Sequence, residues 1–442
     1  MSTEPAGGRS TARPAPVASI GRALRHRNYR LFFTGQSISL IGTWVTKVAT
    51  AWLVYRLTGS AWLLGVVGFA GQIPTFVVAP LAGVLVDRWD RTRVLLATQA
   101  LAMLQSALLA ALALGGVVQV WEVIALNVFQ GLIDAFDMPV RQSMVVRMVD
   151  DRADLPNAIA LNSTMVNSAR LLGPAIAGVL IAAVGEGWCF LLDAVSYGAV
   201  LVSVLLMRID AKPSAPRSAR VLDDMIGGFR YVSRSTPIRA LLLMLAASGL
   251  AGRPFAVLLP VIARQVMHGG AGTLGALQAT AGTGALAGAL YLASRTRGVL
   301  GLGRVVAISA ALFGLGLMAF SRAHAPWLAM PLLLVAGTGM MVQTAASNTI
   351  IQTIVDEDKR GRVMSLLAMS LFGTVPIGSL IAGALATRIG AQNTILFGGA
   401  ICTVAAGLFY RALPEVHRAM RPICEQLGIL PEGGASESVL KV

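Results

Sequence analysis

Six ionisable side chains, Lys47, Asp134, Asp137, Arg170, Asp193 and Arg253, lie inside apolar stretches of this sequence. A charge in such surroundings costs at least a few kcal/mol unless it is paired or hydrated, so each marks a path for ions, protons or ligand, or a structural pair. Gln36, Ser39, Thr43, Lys47 and Thr50 fall within an arc of about 80° on one helix, and Asn127, Gln130, Asp134, Asp137 and Arg141 do the same on another. Asp137 and Arg141 can pair at i, i+4, which leaves Asp134 about 10 Å deeper than the helix end as a candidate proton carrier. Asp137 and Asp193 are the other candidates. Arg170, in line with Ser163, Asn167 and Pro174, is placed to hold Asp134 ionised in one state and release it in another; the competing reading is a static ion pair.

Lys47 either faces a cavity or snorkels to the membrane surface. Arg253 sits between Gly252 and Pro254, where the missing backbone donor should bend or break a helix. Lys47 and Arg253 hold matching places 206 positions apart. As a facing pair they would attract an anionic or electron-rich substrate; alternatively each neutralises a buried carboxylate. Gln36, Thr43, Lys47, Asn167, Arg170, Arg253 and Gln343 are the candidate cavity residues.

The elements that must position these groups are membrane helices. Hydrophobic residues make up 55% of the 442 residues and charged residues 13%, which suits a bilayer rather than water. Twelve apolar stretches run over about 31–55, 62–86, 94–114, 118–140, 158–184, 188–207, 240–262, 274–293, 305–320, 326–350, 364–389 and 394–410. Gly83, Gly178 and Gly185 recur 205 positions later as Gly288, Gly383 and Gly390, and Val149-Asp150-Asp151 recurs at 206 as Val355-Asp356-Glu357. Such duplication in an apolar chain predicts a transporter with its site between two halves. The expected organisation is a tail over 1–30 with a basic interfacial segment, a six-helix bundle over 31–207, a loop over 208–239, a second bundle over 240–410 and a tail over 411–442.

Only Arg56, Arg264, Arg322 and Arg388 lie on one side of these spans, whereas nearly all other Lys and Arg lie with the tails. Both tails are therefore expected in the cytoplasm, in a multi-pass protein of the inner (cytoplasmic) membrane. The net charge of +15 follows this asymmetry and needs no nucleic acid. Residues 1 to about 20 read as a disordered tail rather than a cleaved signal. Cys189, Cys402 and Cys424 form no disulfide or metal pattern, and the four histidines lack zinc-ligand spacing. No Walker A lysine or Gly-x-Ser-x-Gly exists, so neither an ATPase of that kind nor a membrane hydrolase is expected.

Gly83-x-x-x-Asp87-Arg88-x-x-Arg91-x-Arg93 resembles the cytoplasmic loop signature of the major facilitator superfamily, where glycine lets helices approach and the charges lock an inner gate. Asn127-x-x-Gln130-Gly131 resembles its fourth-span signature, with Asn127 where an arginine is usual. Gly173-Pro174-Ala175-Ile176-Ala177-Gly178 is similar to the core of its antiporter signature, with Ala177 replacing one glycine. With Leu192-Asp193-Ala194-Val195-Ser196-Tyr197 and Arg253-Pro254-Phe255, the resemblance points to the branch of the enterobactin exporter and the macrolide efflux proteins. It implies an all-α fold of twelve transmembrane helices in two pseudo-symmetric six-helix bundles, no enzyme activity and no cofactor. It further implies proton-coupled efflux, by antiport and alternating access, of a small molecule such as a drug, antibiotic or siderophore. The partners are then lipid, protons and a small molecule, anionic where Lys47 and Arg253 face each other, and a monomer suffices. A lysophospholipid flippase, an uptake carrier and a non-transporting sensor are the alternatives.

Overall fold

The structure is a computed structural model in which residues 21–208, 221–295 and 301–426 are described. The expectations for residues 1–20, for the middle of the central loop and for residues 427–442 lie outside these residues. A chain in hydrocarbon must satisfy its own backbone donors and acceptors, and helices do so within one segment. The elements are α1 (Arg27–Thr58), α2 (Ala61–Arg88), α3 (Arg91–Leu114), α4 (Val120–Val145), α5 (Leu155–Val184), α6 (Glu186–Leu206), α7 (Val221–Arg234), α8 (Thr236–Val266), α9 (Ala271–Ala293), α10 (Leu302–Phe320), α11 (Pro326–Ile354), α12 (Arg360–Ile389) and α13 (Ala391–Gln426).

Among the described residues, 11 helices are long and apolar enough to cross a membrane. The remaining span, α9, is 23 residues long, but glycine and threonine dilute its apolar content. Its glycines serve packing instead: a Cβ on Gly284 would lie 2.1 Å from the Leu334 carbonyl oxygen of α11. Three elements depart from the sequence boundaries. Helix α1 starts at Arg27 within the basic run, α13 continues to Gln426, and α7 forms inside the central loop. A hydropathy window sees the apolar part of a helix and not its charged, helix-favouring ends.

Helix ends follow local chemistry. The Ser60 hydroxyl accepts from the Leu63 N–H, and the Asp90 carboxylate accepts from the N–H groups of Thr92 and Arg93. Gly185 and Gly390 close α5 and α12 at φ +89° and +83°, so this repeated pair reflects two turns that only glycine makes readily. Pro254 interrupts α8 as expected, next to a π-helical turn over Ser248–Gly252, and a second π turn over Met369–Gly373 lies in α12.

The two halves meet along two seams. Gly178 of α5 faces Gly275 of α9, and Gly383 of α12 faces Gly65 of α2; a Cβ on Gly178 would lie 3.0 Å from the Gly275 Cα, and one on Gly383 2.9 Å from the Gly65 Cα. The repeat of Gly178 at Gly383 is thus a repeat of the seam. Both contacts fall in the half of the molecule away from the tails. There one apolar cluster joins the halves, from Val45, Leu53 and Leu64 to Phe255, Leu274 and Leu333. On the tail side the packing divides into one cluster within residues 23–207 and another within 232–420. Among the described residues, the buried apolar packing is continuous between the halves on the far side and divided between them on the tail side.

Candidate functional site

The charged residues are presented by α1, α4, α5, α6 and α8, and their surroundings separate them into fixed pairs and open groups. Asp137 is fixed. Arg141 Nε approaches its Oδ2 at 2.6 Å, and Thr98 Oγ1 and Gln99 Nε2 of α3 donate to its Oδ1 at 3.1 and 2.7 Å. The expected i, i+4 pair is present, at 4% exposure for the acid. Asp193 is equally enclosed, at 1% exposure, with Ser106 Oγ of α3 donating to its Oδ2 at 3.0 Å. A Cβ on Gly42 would lie 2.8 Å from its Oδ1, so Asp193 belongs to the packing of α1 on α6.

Asp134 differs from both. Gln130 Nε2 donates to its Oδ1 at 2.9 Å, and no ion pair or further protein hydrogen bond reaches it among the described residues. Arg170 does not pair with it. The Arg170 guanidinium lies 5.4 Å from the centre of the Trp44 ring, and the Lys47 ammonium lies 4.8 Å from the same centre. Trp44 thus carries two cations on its face, an arrangement in which the ring quadrupole offsets part of their repulsion. Lys47 is exposed, with its ammonium over the Trp44 ring of its own helix.

Arg253 projects from the interrupted α8. Its Nη2 donates to Thr344 Oγ1 at 2.8 Å and its Nη1 to the Leu371 carbonyl at 3.3 Å, in the π turn of α12. Among the described residues no carboxylate pairs with it. The Nε atoms of Arg170 and Arg253 are both buried without a hydrogen-bond partner. Lys47 and Arg170 therefore share the Trp44 ring, and among the described residues no cation pairs with Asp134 and no carboxylate with Arg253. Of the remaining cavity candidates, Gln36 and Gln343 are closed into helix packing at 2% and 1% exposure, Gln343 donating to Ser248 Oγ at 2.8 Å. Thr43 bonds the Ser39 carbonyl and lies 3.4 Å from the Tyr197 hydroxyl, and Asn167 donates to the Ser163 carbonyl.

The motif residues have distinct places. Gly131 packs under α2, where a Cβ would lie 2.7 Å from the Gly71 carbonyl oxygen, and Asn127 turns back to the Val123 carbonyl. Gly173 lets α5 close on Trp44, and Pro174 and Gly178 form the seam with α9. Among the described residues nothing lies within 4 Å of where a Cβ on Gly83 would stand. Arg88 is exposed and Arg93 lies 3.9 Å from Asp90. Arg91 has a partner of its own, and the Asp87 side chain lies outside the described residues. Sequence reasoning missed Trp44 and the α3 donors; the adjacent polar pairs Thr98-Gln99 and Gln105-Ser106, inside an apolar span, were the available signal for the latter.

Residues 19–426 match the family model described as transmembrane secretion effector. Similar curated proteins include the staphyloferrin A transporter of Staphylococcus aureus, 24% identical over 86% of this chain and 95% of that protein. The multidrug efflux pump Tap of Mycolicibacterium fortuitum is 28% identical over 80% and 88%. Macrolide efflux protein A of Streptococcus pyogenes is 22% identical over 85% and 95%. Among solved structures, a POT family transporter in complex with 5-aminolevulinic acid superposes with a TM-score of 0.70 at 13% identity, over 88% of this chain and 96% of that one. A bacterial homologue of the lysosomal transporter Spinster gives 0.64 at 14%, over 95% and 100%.

Proposed function

The chain belongs to the transmembrane secretion effector family of the major facilitator superfamily, and on that premise we propose that it is a proton-coupled exporter of small molecules in the cytoplasmic membrane. The observation that carries this reading is the carboxylate of Asp134, which no described cation pairs, in a half that also presents Lys47 and Arg170 on Trp44 and is joined to the other half by apolar packing on the far side. With the arginine-rich side in the cytoplasm, the side where that packing divides faces the cytoplasm and substrate enters from there. The relatives whose names describe efflux of drugs and macrolides support the outward direction.

The mechanism uses this chain's own groups. A substrate with an anionic group docks at Arg253 and Arg170, drawing the two halves together on the tail side. The glycine seams on the far side then part, and substrate leaves. Asp134 takes a proton from the far side and releases it to the cytoplasm on the return, which makes the cycle an antiport. Asp137 and Asp193 are occupied by fixed donors and hold helices. Each proton moving down 100 mV supplies about 2.3 kcal/mol, enough for roughly a fifty-fold substrate gradient. One chain contains both halves and suffices as a monomer.

The test is uptake of antibiotics and siderophores into inside-out membrane vesicles with an acid lumen. Uptake that stops when the gradient is collapsed is the expected result. Uptake indifferent to the gradient, or lateral movement of lysolipid instead, would replace this reading with a uniporter or a flippase.

A further inference from the structure

We infer that the exported molecule is amphoteric, with an acidic group held by Arg253 and Arg170 and a cationic group held by Asp134. The inference rests on the antiport reading above and adds the substrate class. Two sets of unfilled hydrogen-bonding capacity are present, with Asp134 and Arg170 on helices of the first half and Arg253 on the second. One set is the buried Nε–H groups of Arg170 and Arg253, each without a partner. Arg253 has its Nη groups turned to Thr344 and the Leu371 carbonyl, neither of which is charged. Among the described residues no carboxylate pairs with either guanidinium, and a guanidinium without a counter-ion is suited to receive a carboxylate or phosphonate.

The other set is Asp134. Lys47 and Arg170 rest on the Trp44 ring rather than on this carboxylate, so one of its oxygens carries no protein hydrogen bond among the described residues. Asp134 is thus paired to no cation among the described residues. A purely anionic substrate would not exploit that vacancy. It would bind better when Asp134 is protonated, because the local field is then more positive, and proton and substrate would travel together. Antiport needs the opposite linkage, in which substrate binding expels the proton. A substrate that brings an ammonium to Asp134 while its carboxylate engages the arginines supplies it, since ammonium and proton then compete for one oxygen.

The test uses purified full-length protein and ω-amino carboxylates of increasing spacer length, each beside the alkyl carboxylate and alkyl amine of matched length. Binding is read by thermal stabilisation and by proton release in weak buffer. At one spacer length the amino carboxylate should bind at least about tenfold more tightly than either matched compound and should release protons. Asp134→Asn should abolish the release and the preference for the amine. Arg253→Gln should abolish the preference for the carboxylate, and Arg253→Lys should restore part of it, which separates lost recognition from lost folding. Carboxylates that bind as well as amino carboxylates, proton uptake instead of release, or no binding across the series would each overturn the inference. Because none of these readouts needs flux, a failure of export in vesicles is a separate result.

Discussion

Gly275→Ala should shift the molecule away from the state in which the far-side seam is closed. A Cβ at position 275 would lie 2.6 Å from both the Gly178 Cα and the Pro174 carbonyl oxygen, about 0.8 Å inside ordinary van der Waals contact. Both obstacles are backbone, so α5 and α9 must separate. Overpacking of this kind costs about 1–3 kcal/mol, and the strain exists only while the seam is closed, so the equilibrium between states should move by about 5- to 150-fold. The assay is the distance between spin labels at positions 117 and 324, on loops at the far side, with Cys424 replaced; Val117 is 63% exposed, and Cys189 and Cys402 are buried. A longer distance should appear or grow. Gly272→Ala is the control: it makes the same change on the same helix with nothing within 4 Å, and it should leave the distribution unchanged. An unchanged distribution in Gly275→Ala, or an equal change in both, refutes the seam.

Other consequences are separable. Asp137→Asn removes the charge facing Arg141 at 2.6 Å and should cost about 3–5 kcal/mol of stability, whereas Asp134→Asn should leave thermal unfolding nearly unchanged. Gly185→Ala and Gly390→Ala have open space but positive φ, so each should destabilise by about 1–2 kcal/mol, measured by thermal unfolding in detergent. His26, before the first helix, bonds Asp154 at 3.1 Å and Asp150 at 3.2 Å. Burial alone would lower its pKa, but the bonds to Asp154 and Asp150 outweigh it and raise the value above 6.5. A raised folded value means its contribution is full below 6.5 and fades as pH rises through the folded pKa. The Tm gap between wild type and His26→Gln should therefore narrow towards alkaline pH, and a constant gap would contradict that bond.

What the sequence revealed and what it hid divide along physical lines. The 205-residue echo of Gly178 and Gly185 could be read because seam and turn each demand glycine at a fixed place in both halves. Asp137 with Arg141 could be read because both lie on one helix face. The Trp44 platform could not, since it joins Lys47 of α1 to Arg170 of α5 and depends on how two helices are turned. The same holds for Arg253, whose sequence twin is Lys47 but whose hydrogen bonds run to Thr344 and Leu371 on other helices of its own half. Gln36 and Gln343 looked like cavity residues because periodicity shows a polar face but not what covers it.

The account stands on Asp134 as the group that exchanges protons while Asp137 and Asp193 hold helices. The direct measurement is substrate-evoked proton movement in inside-out vesicles under an imposed pH gradient, for wild type, Asp134→Asn and Asp193→Asn. Movement lost in Asp134→Asn and kept in Asp193→Asn is the result expected. Movement that persists without the Asp134 carboxylate contradicts the account and transfers the proton to another group.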